Sequence, residues 1–191
     1  MVFLSIIPYA IRTYECKIQP VPTTWSLWSL IGLAVLLTYR SSGAEANAWP
    51  AVFGFVNPIL ITILSVWRQG EWKKPTLAER FCFLFGLASL VMWIFLRRNA
   101  NLDQYALYVA IAADVCAAIP TILFVWRQPD RDRPFSWVVF AMGYFLAIFA
   151  IPQDTVANWI LPLYMTVVSL VVAFPLALYR VRQRTSVKDW A

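Results

Sequence analysis

Two stretches decide the fold between them: IIPYAIRTYECKIQPVPTTW, residues 6–25, and AIPTILFVWRQPDRDRPFSW, residues 118–137. The first sets a proline, Pro8, inside an apolar run, follows it with a charged turn, and opens a second run on Pro-Thr-Thr-Trp. The second repeats that plan. Shifted by 112 positions, the distance from Pro8 to Pro120, the two align without a gap: Pro22 falls on Pro134, Thr24 on Ser136, Trp25 on Trp137, and Tyr14 meets Trp126. The offset persists past two further loops, bringing Pro50 onto Pro162, Trp67 onto Tyr179 and Arg68 onto Arg180. Shared apolar composition would align Leu with Val at any shift, but it would not align these less common residues. The chain therefore reads as an internal repeat.

Composition says where the repeat resides. Of 191 residues, 61% are hydrophobic and 14% charged. A water-soluble domain is nearer a quarter charged. Seven apolar segments fall between the charges: Val2–Ile11, Pro22–Tyr39, Ala48–Trp67, Phe81–Leu96, Tyr105–Trp126, Pro134–Ile151 and Val156–Tyr179. Most have the length of a helix crossing a hydrocarbon core of about 30 Å. Many of the ten Trp and eight Tyr stand where a run meets a charged loop, as an interfacial belt does. The expected fold is an all-α polytopic membrane protein with seven transmembrane helices.

The repeat covers spans one to three and five to seven, and the fourth has no counterpart. An odd number of spans reverses the chain, so a single returning helix lets the second triplet enter in the first one's orientation. The expectation is two parallel triple-helix repeats joined by an inversion helix (3+1+3). Residues 1–67 form the first bundle, 68–103 the linker with the fourth helix, 104–180 the second bundle and 181–191 a basic cytoplasmic tail. The first span is shorter than the fifth by about eight residues at this offset, which suggests upstream residues missing from the start. With no basic residue ahead of it, the opening run does not read as a cleaved signal peptide.

The net charge of +6 does not indicate nucleic acid, because the basic residues punctuate apolar runs rather than forming a patch. They set orientation instead. With the N-terminus outside, all but Arg40, Arg97 and Arg98 of the 16 Lys and Arg fall on the inner side. The inner clusters include Arg68, Lys73, Lys74 and Arg80, and the tail from Arg180 to Lys188. This predicts an integral protein of a bacterial inner membrane, N-terminus out and C-terminus in. The lipid bilayer is the one obligatory partner; an oligomer is possible but not required. His is absent, and Cys16, Cys82 and Cys116 share no metal-type spacing. No metal, no cofactor and no enzyme activity is expected, since neither a phosphate-binding loop nor a nucleophile–base set is present.

This 3+1+3 plan, with a proline in the first helix of each triplet and a basic turn into the second, resembles the SWEET sugar transporters and the wider PQ-loop group. It is also similar to the PnuC-type vitamin transporters. The carrying residues are Ile7-Pro8-Tyr9-Ala10-Ile11 and Ile119-Pro120-Thr121-Ile122-Leu123. The resemblance implies a small-solute transporter working by alternating access. It also implies a solute-binding asparagine in the third helix of each triplet. Asn57 stands there, but its repeat mate is Ser169, and neither proline is followed by Gln.

The residues themselves support several readings. Pro8 and Pro120 each interrupt a helix at matching positions, giving paired hinges or gates; a proline is also simply commoner in membrane helices. Asn57 and Ser169 offer hydrogen bonds to a solute, or one to a neighbouring helix and the other to its own backbone. Trp25 and Trp28 share a helical face that Trp137 and Phe140 repeat. Trp28 and Phe140 are the deeper pair and the better walls for a flat solute, whereas Trp25 and Trp137 read as belt residues. Asp114 is the one acid well inside a span, and it suits a proton site, a solute ligand or a partner for a Tyr or Trp donor. A facilitative transporter of a sugar or other small polar solute is the leading expectation. A non-transporting receptor, sorting or assembly protein on the same fold is the alternative.

Overall fold

The computed structural model describes residues 1–18, 20, 22–41, 48–69, 74, 76–96, 98–99, 102–186 and 190. Lys73, Arg97 and Lys188, which enter the charge asymmetry, lie outside the described residues. The described chain is all-helical: α1 (Val2–Tyr14), α2 (Pro22–Ser41), α3 (Ala48–Gln69), α4 (Leu77–Leu96), α5 (Asp103–Arg127), α6 (Pro134–Ile148) and α7 (Val156–Arg182).

Four of these helices, α3, α4, α5 and α7, are long and apolar enough to cross a bilayer. The expectation of seven full spans is met in number of helices but not in length. The 13 residues of α1 and the 15 of α6 reach about 20 Å and about 22 Å at 1.5 Å per residue. The end of α6 falls three residues short of the expected Ile151, ahead of Pro152, which disfavours helical geometry in the residue before it. The start of α4 is four residues earlier than expected. There Glu79 accepts from the Thr76 backbone N–H (2.8 Å), and Thr76 Oγ1 accepts from the Glu79 N–H (3.2 Å), a reciprocal cap that the apolar pattern does not register.

Polarity is reversed relative to a water-soluble protein. Large apolar side chains cover the outside, with Phe81, Ile63, Val167, Phe95 and Phe149 all more than half exposed. Hydroxyls are inside, where lipid offers no partner, and they bond to their own helix: Thr13 to the Tyr9 carbonyl, Ser65 to Ile61 and Ser169 to Met165. An apolar exterior of this extent over four long apolar helices, with hydroxyls bonded to their own helices, identifies an integral membrane protein.

The helices close into a ring in the order α1, α3, α2, α5, α7, α6 and back to α1, while α4 lies outside it against α2 and α5. Exchanging α1, α2 and α3 for α5, α6 and α7 returns the same ring. The arginines paired by the 112-residue offset do the same local work in each half. Arg68, ending α3, donates from Nε to the Tyr14 carbonyl at the end of α1 (2.9 Å) and lies over the Tyr14 ring. Arg180, near the end of α7, is buried and donates to the carbonyls of Pro129 (3.0 Å) and Asp132 (2.8 Å) in the α5–α6 turn. Each arginine thus ties the end of a third helix to the turn after a first helix.

Small residues set the closest approaches. A Cβ on Gly32 of α2 would lie 2.7 Å from the Gly54 carbonyl oxygen of α3, so the two backbones are in direct contact. Gly32→Ala must push α2 and α3 apart, and it is expected to destabilise by about 1–3 kcal/mol. Gly86→Ala meets only side chains, Ile31 at 3.2 Å and Leu30 at 3.9 Å, and is expected to cost less. Melting of the two variants in one detergent gives the order; a Gly32→Ala protein as stable as wild type would contradict the contact.

Candidate functional site

The ring encloses a cavity of about 120 Å³. All six ring helices contribute to its wall and α4 does not. Every solute-binding candidate from the sequence lies on this wall: Asn57, Ser169, Trp28, Phe140 and Asp114. Several lining residues are repeat mates, including Trp25 with Trp137, Trp28 with Phe140, Tyr9 with Thr121 and Asn57 with Ser169. A cavity lined in this way lies inside the ring, walled by all six of its helices.

The polar groups divide into those engaged with helices and those facing the cavity. Asn57 is buried and donates from Nδ2 to the Val2 carbonyl (3.2 Å), tying α3 to the start of α1. Ser169 donates to the Met165 carbonyl (2.6 Å), the self-bonding that a helical serine favours. Asp114 accepts a hydrogen bond from the Tyr164 hydroxyl (2.8 Å), so a tyrosine of α7 is its partner. Pro8 and Pro120 both lie within continuous helices and both are half-buried. Each forfeits the helical bond to the carbonyl four residues earlier, Leu4 and Cys116 respectively.

A second, wider space of about 630 Å³ opens at the end of the ring where the α1–α2 and α5–α6 turns meet. Lys17, Gln128, Asp130, Arg131 and Asp132 make it polar. Tyr9, Trp25, Trp28, Thr121 and Trp137 line both spaces and form the partition between them. Trp28 meets Trp137 edge-on across the ring, with centroids 6.2 Å apart, and Trp25 packs on both Trp28 (5.1 Å) and Tyr9 (5.2 Å). This corrects the belt reading of Trp25 and Trp137. Trp25 is buried, and both indoles face the cavity rather than lipid, because the ring closes around the helix face that carries them.

The partition is held from the turn below it. The Trp137 indole N–H donates to Asp132 Oδ2 (3.1 Å), while Asp132 Oδ1 accepts from the Arg133 backbone N–H (2.7 Å). Arg180 in turn holds the Asp132 carbonyl. At the other end, Tyr144 of α6 reaches over to α3 and donates to the Pro50 carbonyl (3.0 Å). Gly54 leaves room for that hydroxyl, since a Cβ there would come within 3.1 Å of it.

Residue-type reasoning did not single out Tyr144, Asp132, Tyr164 or Thr121. For Tyr144 a signal exists in the repeat: its mate is Gly32, a bulky residue opposite the smallest one. Asp132 and Tyr164 carry no such mark, because their partners are set by packing between helices. No family model, curated protein or solved structure matches the chain.

Burial pushes the Asp132 carboxyl up to about 6, and its bonds from the Arg133 N–H and the Trp137 indole limit the rise. Its folded-state value is therefore above that of the unfolded chain. The favourable contribution is fully present below about pH 4 and is lost as pH rises through 6, roughly 3 kcal/mol in all. Comparing wild type with Asp132→Asn, the stability difference should change by about that amount between pH 4 and 7. The indole ¹⁵N–H resonance missing from Trp137→Phe should titrate near pH 6 in the wild type. A resonance that stays fixed over this range would refute the coupling.

Proposed function

We propose that this chain is a facilitative transporter of a small polar solute, built as two parallel triple-helix units, α1–α3 and α5–α7, with α4 as the inversion helix between them. The observation that carries the reading is the cavity on the ring axis. It is walled by both units, joined through an aromatic partition to a polar vestibule at one end, and covered at the other by Tyr144 on Pro50. The return of the ring onto itself when the units are exchanged supports the repeat.

The mechanism follows from how the two ends differ. In the arrangement described, the vestibule end is wide and the Tyr144 end is bridged by one hydrogen bond between units. Rocking of one unit against the other would break that bond and bring the turns together. The weakened turns at Pro8 and Pro120 are the points in α1 and α5 where such bending meets least resistance. Trp28 and Trp137 come from opposite sides of the ring, so a rocking motion separates or seals them directly. The surplus of Lys and Arg in the segments at the vestibule end supports a cytoplasmic position for it.

A single reporter tests alternating access without knowing the solute. On a background free of Cys16, Cys82 and Cys116, Ser169→Cys places one thiol on the cavity wall. Membrane-impermeant thiol reagents should modify it from either side of oriented vesicles. Labelling from one side only, unchanged across solutes, would mark a non-transporting protein of the same fold. For a solute identified by thermal shift, Trp28→Ala and Asn57→Ala should each reduce uptake into liposomes by about tenfold or more while insertion is retained. Uptake at the wild-type rate in both variants would exclude these residues from the site.

A further inference from the structure

We infer that the solute held in the central cavity is a small organic cation, such as a quaternary ammonium or guanidinium compound. The inference rests on the transporter reading for its biology but on the cavity alone for its chemistry. Asp114 is the one residue with a formal charge on the wall, and no Lys or Arg lines the cavity among the described residues. The chain contains no His to supply a compensating charge. The partner of the carboxylate is the hydroxyl of Tyr164, a neutral donor that occupies one oxygen, Oδ2. The remaining polar groups on the wall, Asn57 among them, are neutral. A carboxylate in a membrane interior favours a counter-charge, and here nothing in the wall provides one.

The aromatic lining points the same way. Trp28 from one unit and Phe140 and Tyr144 from the other stand on the wall that carries Asp114, with Phe140 and Tyr144 packed at 5.1 Å. Ring faces attract a desolvated cation, and Trp does so most strongly. A neutral sugar would gain hydrogen bonds from the amide and hydroxyls but nothing from the charge, while an anion would be repelled by it. The basic residues Lys17 and Arg131 line the vestibule and not this cavity, so none of them makes a wall contact that would pair with Asp114.

The test uses full-length protein in nanodiscs and two isosteric pairs: choline against 3,3-dimethyl-1-butanol, and methylguanidinium against N-methylurea. Binding is read by calorimetry and by shifts of the indole resonances. At least one cation should bind about tenfold or more tightly than its neutral isostere. Asp114→Asn, which keeps an acceptor for Tyr164, should bring that pair within about twofold of each other. Phe140→Leu should weaken the cation by about threefold and leave the neutral compound unchanged. Neutral isosteres that bind as well as both cations, or cation binding unaffected by Asp114→Asn in a protein with wild-type melting, would overturn the inference. Its failure is distinguishable from that of the transporter reading. Cation binding without flux leaves this site standing and removes transport, whereas two-sided labelling at residue 169 without cation preference does the reverse.

Discussion

The edge of Trp28 against Trp137 is the contact on which the rest of the site depends. These residues belong to α2 and α6, which lie opposite one another in the six-helix ring, so their meeting divides the axis into a cavity and a vestibule. Neither indole is held by this contact alone. Trp28 is backed by Trp25 and, through it, by Tyr9 of α1. Trp137 is fixed by the Asp132 carboxylate, whose main chain is fixed by Arg180 at the end of α7. The partition thus draws its support from α1 and α2 on one side and from α6, α7 and the α5–α6 turn on the other.

The support is polar, and its principal groups, Asp132 and Arg180, are both hydrogen-bonded. Arg180 is buried, and the carbonyls of the α5–α6 turn accept its guanidinium protons. Its mate Arg68 does comparable work with one carbonyl and one ring at an exposed position. The same framework bond is therefore deep in one half and superficial in the other. That difference follows from what each meets: Arg68 reaches the last residue of α1, whereas Arg180 reaches carbonyls within the α5–α6 turn.

Much of the architecture was legible in the sequence because lipid leaves few options. Apolar runs bounded by charges must be helices, and a gapless offset matching Pro with Pro and Trp with Trp is a repeat whatever the contacts are. Trp28 and Phe140 were singled out by depth and repeat position, Asp114 as the one acid inside a span, and Asn57 with its mate Ser169 by resemblance and polarity; all five line one cavity. The ring order was not legible, since periodicity does not say which neighbour a helix face meets. For the same reason Trp25 and Trp137 read as belt residues, and Asp132 was not singled out. The end of α6 and the start of α4 were misplaced for a different reason: an apolar run does not register Pro152 ending a helix, or the reciprocal Thr76–Glu79 bond starting one.

The two halves share a framework but not a lining, and this division has a physical logic. Prolines, turn-clamping arginines and the order of helix contacts recur, and under the proposed transport they are the equivalent joints that exposing one axis to two sides requires. Recognition has the opposite requirement, since a small solute without two-fold symmetry cannot satisfy identical groups from both units at once. The wall accordingly departs from symmetry where it is most chemical: Val2 against Asp114, Asn57 against Ser169, Trp28 against Phe140 and Gly32 against Tyr144. The Gly32–Tyr144 pair combines both functions. Gly32 lets α2 lie directly on α3, and Tyr144 spends the equivalent volume on a hydroxyl that reaches Pro50 of the other unit. Close packing at one position of the repeat and closure at its mate come from the same place in the fold.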